Sequence, residues 1–146
     1  MRIISFTIDK LLVEKKSQVK GKIEIKSGLN IERIEKEEVP FSDKPALRFY
    51  FLYSIDYNPN ISKIEIKGSV IVLDEENQSK EILKEWKKKK FDHPLKLALF
   101  NFIMDKCNIK SIQLEDEFGL PLHLPFPKLM PPTEKNTKEN KANYTG

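Results

Sequence analysis

The chain has 146 residues, a net charge of +4 from 26 Lys/Arg and 22 Asp/Glu, and an apolar fraction of 39%. That is one domain's worth of sequence, able to bury a core without staples. Its single cysteine, Cys107, excludes an intramolecular disulfide and any cysteine-built metal site, and fits a reducing compartment.

The amino terminus reads as a strand rather than a signal peptide. No window nears the roughly 18 consecutive apolar residues of a membrane-spanning helix. A soluble, cytoplasmic protein is expected. In the first strand Ile4, Phe6 and Ile8 alternate with Ser5 and Thr7, and the phase then slips to Leu11 and Val13, which predicts a bulge or bend near Asp9-Lys10. A second strand runs through Val19, Ile23 and Ile25, with Lys20, Lys22, Glu24 and Lys26 on its wet side. Ser27-Gly28 marks a turn or bulge, with Ile31 and Ile34 extending the strand beyond it. Glu35 to Lys44, charged and carrying Pro40, reads as a loop.

The third strand has the strongest pattern. Leu47, Phe49, Phe51, Tyr53, Ile55 and Tyr57 alternate over eleven residues, and aromatic and β-branched side chains suit a packed, pleated surface. Asn58-Pro59-Asn60 turns the chain into a fourth strand with Ile64, Ile66, Val70 and Val72 in phase around Gly68. The pair predicts a hairpin.

After Asp74 the period changes. Ser79 caps a helix carrying Ile82, Leu83 and Trp86 and ending in Lys87 to Lys90, whose charges complement the helix dipole. A long helix over about 94–117 follows, with Pro94 at its start, Asn108 as a bend point, and Gly119 and Pro121 as its stop. Leu95, Leu99, Phe102 and Ile103 form its core stripe, and Met104, Cys107, Ser111, Leu114 and Phe118 continue it. The stretch 133–146 is polar and lacks large aliphatic residues, as a disordered tail would. The expectation is an α+β domain over 1–132: a four-stranded antiparallel sheet with a short and a long helix on one face and a proline-rich extended ending.

Chemistry-bearing patterns are sparse. His93 and His123 lack metal-ligand spacing, and Cys107 sits in the helix stripe as a packed thiol rather than a nucleophile. Neither a phosphate-cradling glycine loop nor a Gly-x-Ser-x-Gly elbow is present. Glu115, Asp116 and Glu117 splay around a helix and read as a solvated face. The Asn-x-Ser/Thr triplets at Asn60, Asn77 and Asn143 are sequons in form only. No enzymatic activity, cofactor or metal is expected.

Two surfaces stand out as binding candidates. Trp86 with Lys87, Lys88, Lys89 and Lys90 could place an aromatic ring and four cations against RNA or the ribosome. The simpler alternative buries Trp86 and leaves the lysines solvated. The second candidate is the aromatic strand, with Phe49, Tyr50, Phe51, Tyr53 and Tyr57 lining an apolar groove for unfolded or nascent polypeptide. The ending Leu120-Pro-Leu-His-Leu-Pro-Phe-Pro either folds back on its own domain or serves as ligand for a partner's groove. Folding back is preferred, because an exposed apolar strip of that length is an aggregation hazard.

Four strands, a short helix, a long helix and a Leu-Pro ending, in that order, resemble the bacterial export chaperone SecB and its archaeal relatives. Leu47-Arg-Phe-Tyr-Phe-Leu-Tyr, Lys106-Cys-Asn-Ile-Lys and Leu120-Pro-Leu-His-Leu-Pro-Phe-Pro look like stretches of small archaeal proteins of that kind. The resemblance covers about residues 1–130 and is one of topology. It implies a non-enzymatic holdase whose apolar grooves between sheet and helices take unfolded clients, and a homo-oligomer assembled through sheet edges and helices. The acidic surface that SecB offers to the secretion motor has no counterpart in this basic chain. What the resemblance implies is therefore a general holdase.

Overall fold

A computed structural model describes residues 1–18 and 21–132. Its elements are β1 (Arg2–Lys15), β2 (Glu24–Glu37), β3 (Ala46–Asn58), β4 (Ser62–Leu73), α1 (Ser79–Lys87) and α2 (Leu95–Phe118). The four strands form one antiparallel sheet in the order β1-β4-β3-β2. Strands β2, β3 and β4 follow as consecutive hairpins, and β1 lies beside β4 at the far edge, which is a Greek-key arrangement. No helix among the described residues is long and apolar enough to cross a membrane. The tail over 133–146 lies outside the described residues.

Alternation decides the two faces. Leu47, Phe49, Phe51, Tyr53, Ile55 and Tyr57 point to one side of β3 and are completely buried, opposite Ile64, Ile66, Val70 and Val72 of β4. The intervening Arg48, Tyr50, Leu52, Ser54 and Asp56 are half-buried on the other side. Both helices cover the aromatic side. The chain direction of α2 follows that of β1 and β3. Its Phe102 meets the Phe6 ring edge-on with centroids 5.9 Å apart, and near its end the Phe118 carbonyl accepts a 3.0 Å bond from Lys15 Nζ. Toward α1, Phe91 packs on Phe49 at 5.4 Å.

Gly68 shows why that position takes no side chain. A Cβ there would stand 2.1 Å from the Thr7 carbonyl oxygen and 2.9 Å from the Phe51 ring. The freed space lets Phe6 stack on Phe51 at 5.6 Å. The predicted bulge is present, since pairing of β1 with β4 skips Asp9, and it skips Ile4 as well. A further skip falls at Glu32 in β2.

Several sequence expectations are corrected. Ser27-Gly28 is neither turn nor bulge, because both residues pair regularly with Ile55 and Ser54 inside β2. That strand starts at Glu24, with Val19 outside the described residues, and it runs into the stretch expected to be a loop. Ser79 does not cap α1 with its own side chain. Asp74 takes that role: its Oδ1 accepts from the Glu76 and Gln78 amides at 3.2 and 3.0 Å, and its Oδ2 from the Ser79 amide at 2.7 Å and the Ser79 hydroxyl at 2.5 Å. A carboxylate satisfies several of the free amides of a first turn, where a hydroxyl satisfies one. Helix α2 is continuous through Asn108 and ends at Gly119, whose φ of 65° is left-handed and suits glycine.

Candidate functional site

The aromatic residues of β3 divide by face. Phe49, Phe51, Tyr53 and Tyr57 have no exposure and form the floor of the core, whereas Tyr50 lies half-buried on the opposite face of the sheet. The five therefore do not line a single open groove. Tyr50 sits beneath the guanidinium of Arg33 at 3.9 Å, in a surface of ion pairs that includes a two-pronged Arg48–Glu37 contact at 3.0 Å. The Glu37 carboxyl is held below its ordinary range, chiefly by the hydrogen bonds from Arg48. Cations and carboxylates alternate across this face, so it offers no uniform field to a polyanion.

The floor is not wholly apolar. Tyr53 and Tyr57 reach up from β3 to a buried polar cluster formed with α2 and the segment after it. The Tyr53 hydroxyl donates to Asn108 Oδ1 at 2.8 Å and lies 3.2 Å from His123 Nε2. The Tyr57 hydroxyl donates to Glu115 Oε2. That carboxylate also accepts the His123 backbone amide at 3.0 Å, and its other oxygen stands 2.8 Å from His123 Nδ1. Asn108 Oδ1 is 3.0 Å from His123 Nε2. Neither the Glu115 nor the His123 side chain has appreciable solvent contact, at 0% and 3% exposure. Burial raises the Tyr53 phenol to about 12 and, with the hydrogen bond to Glu115, raises that of Tyr57 further.

This overturns the reading of Glu115 as part of a solvated acidic face. Asp116 and Glu117 are exposed, but Glu115 is entirely buried, because one residue's step around α2 carries it from solvent to β3. His123, which the sequence left without a role, is its partner. A signal was present: Asn108, Ser111 and Glu115 recur at helical spacing beside the apolar stripe, and β3 carries tyrosine rather than phenylalanine at 53 and 57. Ser111 Oγ is buried with no hydrogen bond of ordinary geometry. Cys107 is a buried free thiol that burial pushes up to about 12, in keeping with a packing role.

The segment after α2 is docked over its first part only. The Leu120 amide closes the helix by donating to Glu115 O at 2.8 Å, and its side chain is buried. His123 is the next fixed point. Leu122 and Leu124 on either side of it are each 38% exposed, and beyond them Phe126, Leu129 and Met130 are 51%, 84% and 61% exposed. The expectation that the whole strip folds back therefore holds as far as His123. On the same side of the sheet, Ile23, Ile25, Leu29 and Ile31 at and within β2 are only partly buried, the last three paired with Tyr57, Tyr53 and Phe51. They leave a half-covered apolar row next to the aromatic floor.

The lysine cluster has the plainer geometry. Lys87 to Lys90 are exposed, and Trp86 is partly buried against the core. Phe91, the other ring of that stretch, is taken up by Phe49. The amides of Lys88 and Lys89 close α1 onto Glu85 O and Trp86 O. Elsewhere a cleft of about 780 Å³ is lined by residues including Lys36, Glu37, Asp74 and Lys80, but its buried carboxylate, Asp74, is committed to α1. Among the described residues no group of three His, Cys, Asp or Glu side chains is placed to hold a metal ion.

No protein-family model and no curated protein sequence matches the chain. Among solved structures, it is similar to the Mycobacterium tuberculosis Rv1957 SecB-like chaperone, in complex with a ChAD peptide from the Rv1956 HigA1 antitoxin. The TM-score is 0.50 at 11% identity, over 90% of this chain and 92% of that one. At that identity the likeness is one of fold. The chain has a SecB-like α+β fold.

Proposed function

We propose that this protein is a non-enzymatic chaperone of the cytoplasm that holds unfolded or nascent polypeptide against the helix side of β2 and β3. The observation that carries the reading is the half-covered row Ile23, Ile25, Leu29 and Ile31 beside a buried, aromatic-rich floor. Edge strand β2 has no partner on its outer side among the described residues, so an extended client could add main-chain hydrogen bonds while burying alternate side chains. The peptide-bound SecB-like neighbour of the same fold supports it. Phe49, Phe51, Tyr53 and Tyr57 serve as the floor, and Tyr50 stands outside the groove. Self-association would use the other edge, where Ile4, Ile8 and Leu11 of β1 are about 40% exposed. The test is aggregation of a chemically unfolded client: stoichiometric protein should slow it, and Leu29→Asp should abolish the effect. Unchanged aggregation at equimolar protein would refute the proposal.

A second reading, RNA or ribosome association through Trp86 and Lys87 to Lys90, is supported by four exposed lysines around one half-exposed indole. It predicts binding that weakens steeply with salt and disappears when the four lysines are changed to glutamate. Salt-indifferent binding would refute it.

A further inference from the structure

We infer that residues 119–132 form a displaceable strap, an internal ligand whose His123 is fastened over Tyr53 of β3 and beside Asn108 and Glu115 of α2, on the helix side that a client would share; this rests on the polypeptide-binding reading and specifies its ligand. Four observations carry it. The strap's polar hold on the domain is concentrated at one residue, His123, through its ring and its backbone amide. A carboxylate that accepts a backbone amide from a segment outside its own helix, as Glu115 does from His123, can accept the same group from any polypeptide. Pro121, Pro125 and Pro127 lack amide protons, so at those positions the strap cannot be zipped to a strand edge, and a client without prolines has donors it lacks. From Phe126 onward the apolar side chains are largely exposed, which leaves a free end from which displacement can begin.

The ligand follows from the strap's own chemistry. It is a segment that bends at its anchoring residue, as the strap does at His123 and Leu124, with a large aliphatic side chain at the place of Leu120, which is buried. Three positions on, it carries a residue that sets both a main-chain N–H and a side-chain nitrogen against Glu115, as His123 does. Tyr53, Tyr57 and Asn108 are the other polar groups facing that position. Cys107 and Ser111 of α2, both fully buried, lie near the Tyr53 side chain. Exchange between strap and client sets the threshold for binding, so a weakened strap makes a tighter client binder.

The test uses the full chain with His123→Ala, and a second variant, Leu120→Ala, that leaves the polar cluster intact should the first fail to fold. Amide exchange should accelerate at least about tenfold over 119–126 with β3 and β4 unchanged. A fluorescent peptide of residues 119–132 should bind either variant about tenfold tighter than the parent chain, and the same peptide carrying His123→Ala should not. Equal peptide affinity for parent and variants, or exchange that rises equally in strap and strands, would overturn the inference. A variant that takes the strap peptide but no unfolded protein would leave the strap standing and sink the chaperone reading instead.

Discussion

The two faces of β3 are built from alternate residues of a single strand, yet they obey different energetics. On the helix side, Phe49, Phe51, Tyr53, Ile55 and Tyr57 are sealed from water, and both tyrosine hydroxyls have a partner. On the outer side, Arg48, Tyr50 and their neighbours are held by half-solvated ion pairs. Burial multiplies the cost of losing a group, and solvent screens it. The helix side should therefore dominate stability while the outer side contributes little. A polar cluster that survives within the dry side marks the position where the chain after α2 is fastened.

Four measurements would break or sharpen that contrast. The largest effect belongs to Phe51→Ala, which empties a fully buried ring site stacked on Phe6; a loss of about 3–5 kcal/mol is expected from urea unfolding. A loss near that of an outer-face substitution would mean the two faces are not distinct. Next comes pH. Burial lifts the Tyr53 phenol from an ordinary 10.0 to about 12, so the unfolded chain ionises first. Stability is complete below pH 10.0 and falls as the pH climbs toward 12, by about 3 kcal/mol for this group alone. Unfolding midpoints across that window should decline less steeply in Tyr53→Phe.

Gly68→Ala should cost about 1–3 kcal/mol through overpacking, because its new methyl meets the Thr7 backbone before it meets any side chain that could yield. A neutral result would show that β1 can shift away from β4. Smallest is Arg48→Met, which removes the contacts to Glu37 and Ser69. About 1 kcal/mol is expected by chemical denaturation, shrinking further at high salt. A larger loss would move the outer face into the same class as the floor.

Much of the fold was legible because period and order are local properties. The alternation from Leu47 to Tyr57, the phase slip at Asp9, the Asn58–Asn60 turn and the Gly119 stop each follow from a few neighbouring residues. Where the reading failed, a long-range partner had overridden a local signal. Ser27-Gly28 looks like a turn, but pairing with Ile55 and Ser54 keeps it extended. Ser79 looks like a cap, but Asp74 outcompetes it. Burial disfavours the Asp74 carboxylate, yet hydrogen bonds from Ser79 and the surrounding amides outweigh that and hold its pKa below the usual value.

The candidate site divides in the same way. Sequence alone determined that β3 has an aromatic face and that an apolar, proline-spaced segment follows the last helix, since both are patterns of side-chain type along the chain. Only the tertiary structure decided that the aromatic face is a closed floor, that Glu115 rather than its two acidic neighbours turns inward, and that His123 meets it. Those outcomes depend on how α2 is rotated and where the chain leaves it. That geometry is set by packing between residues 53 and 57 of β3, 108 and 115 of α2, and 123 of the strap, too far apart in sequence for any local pattern to report.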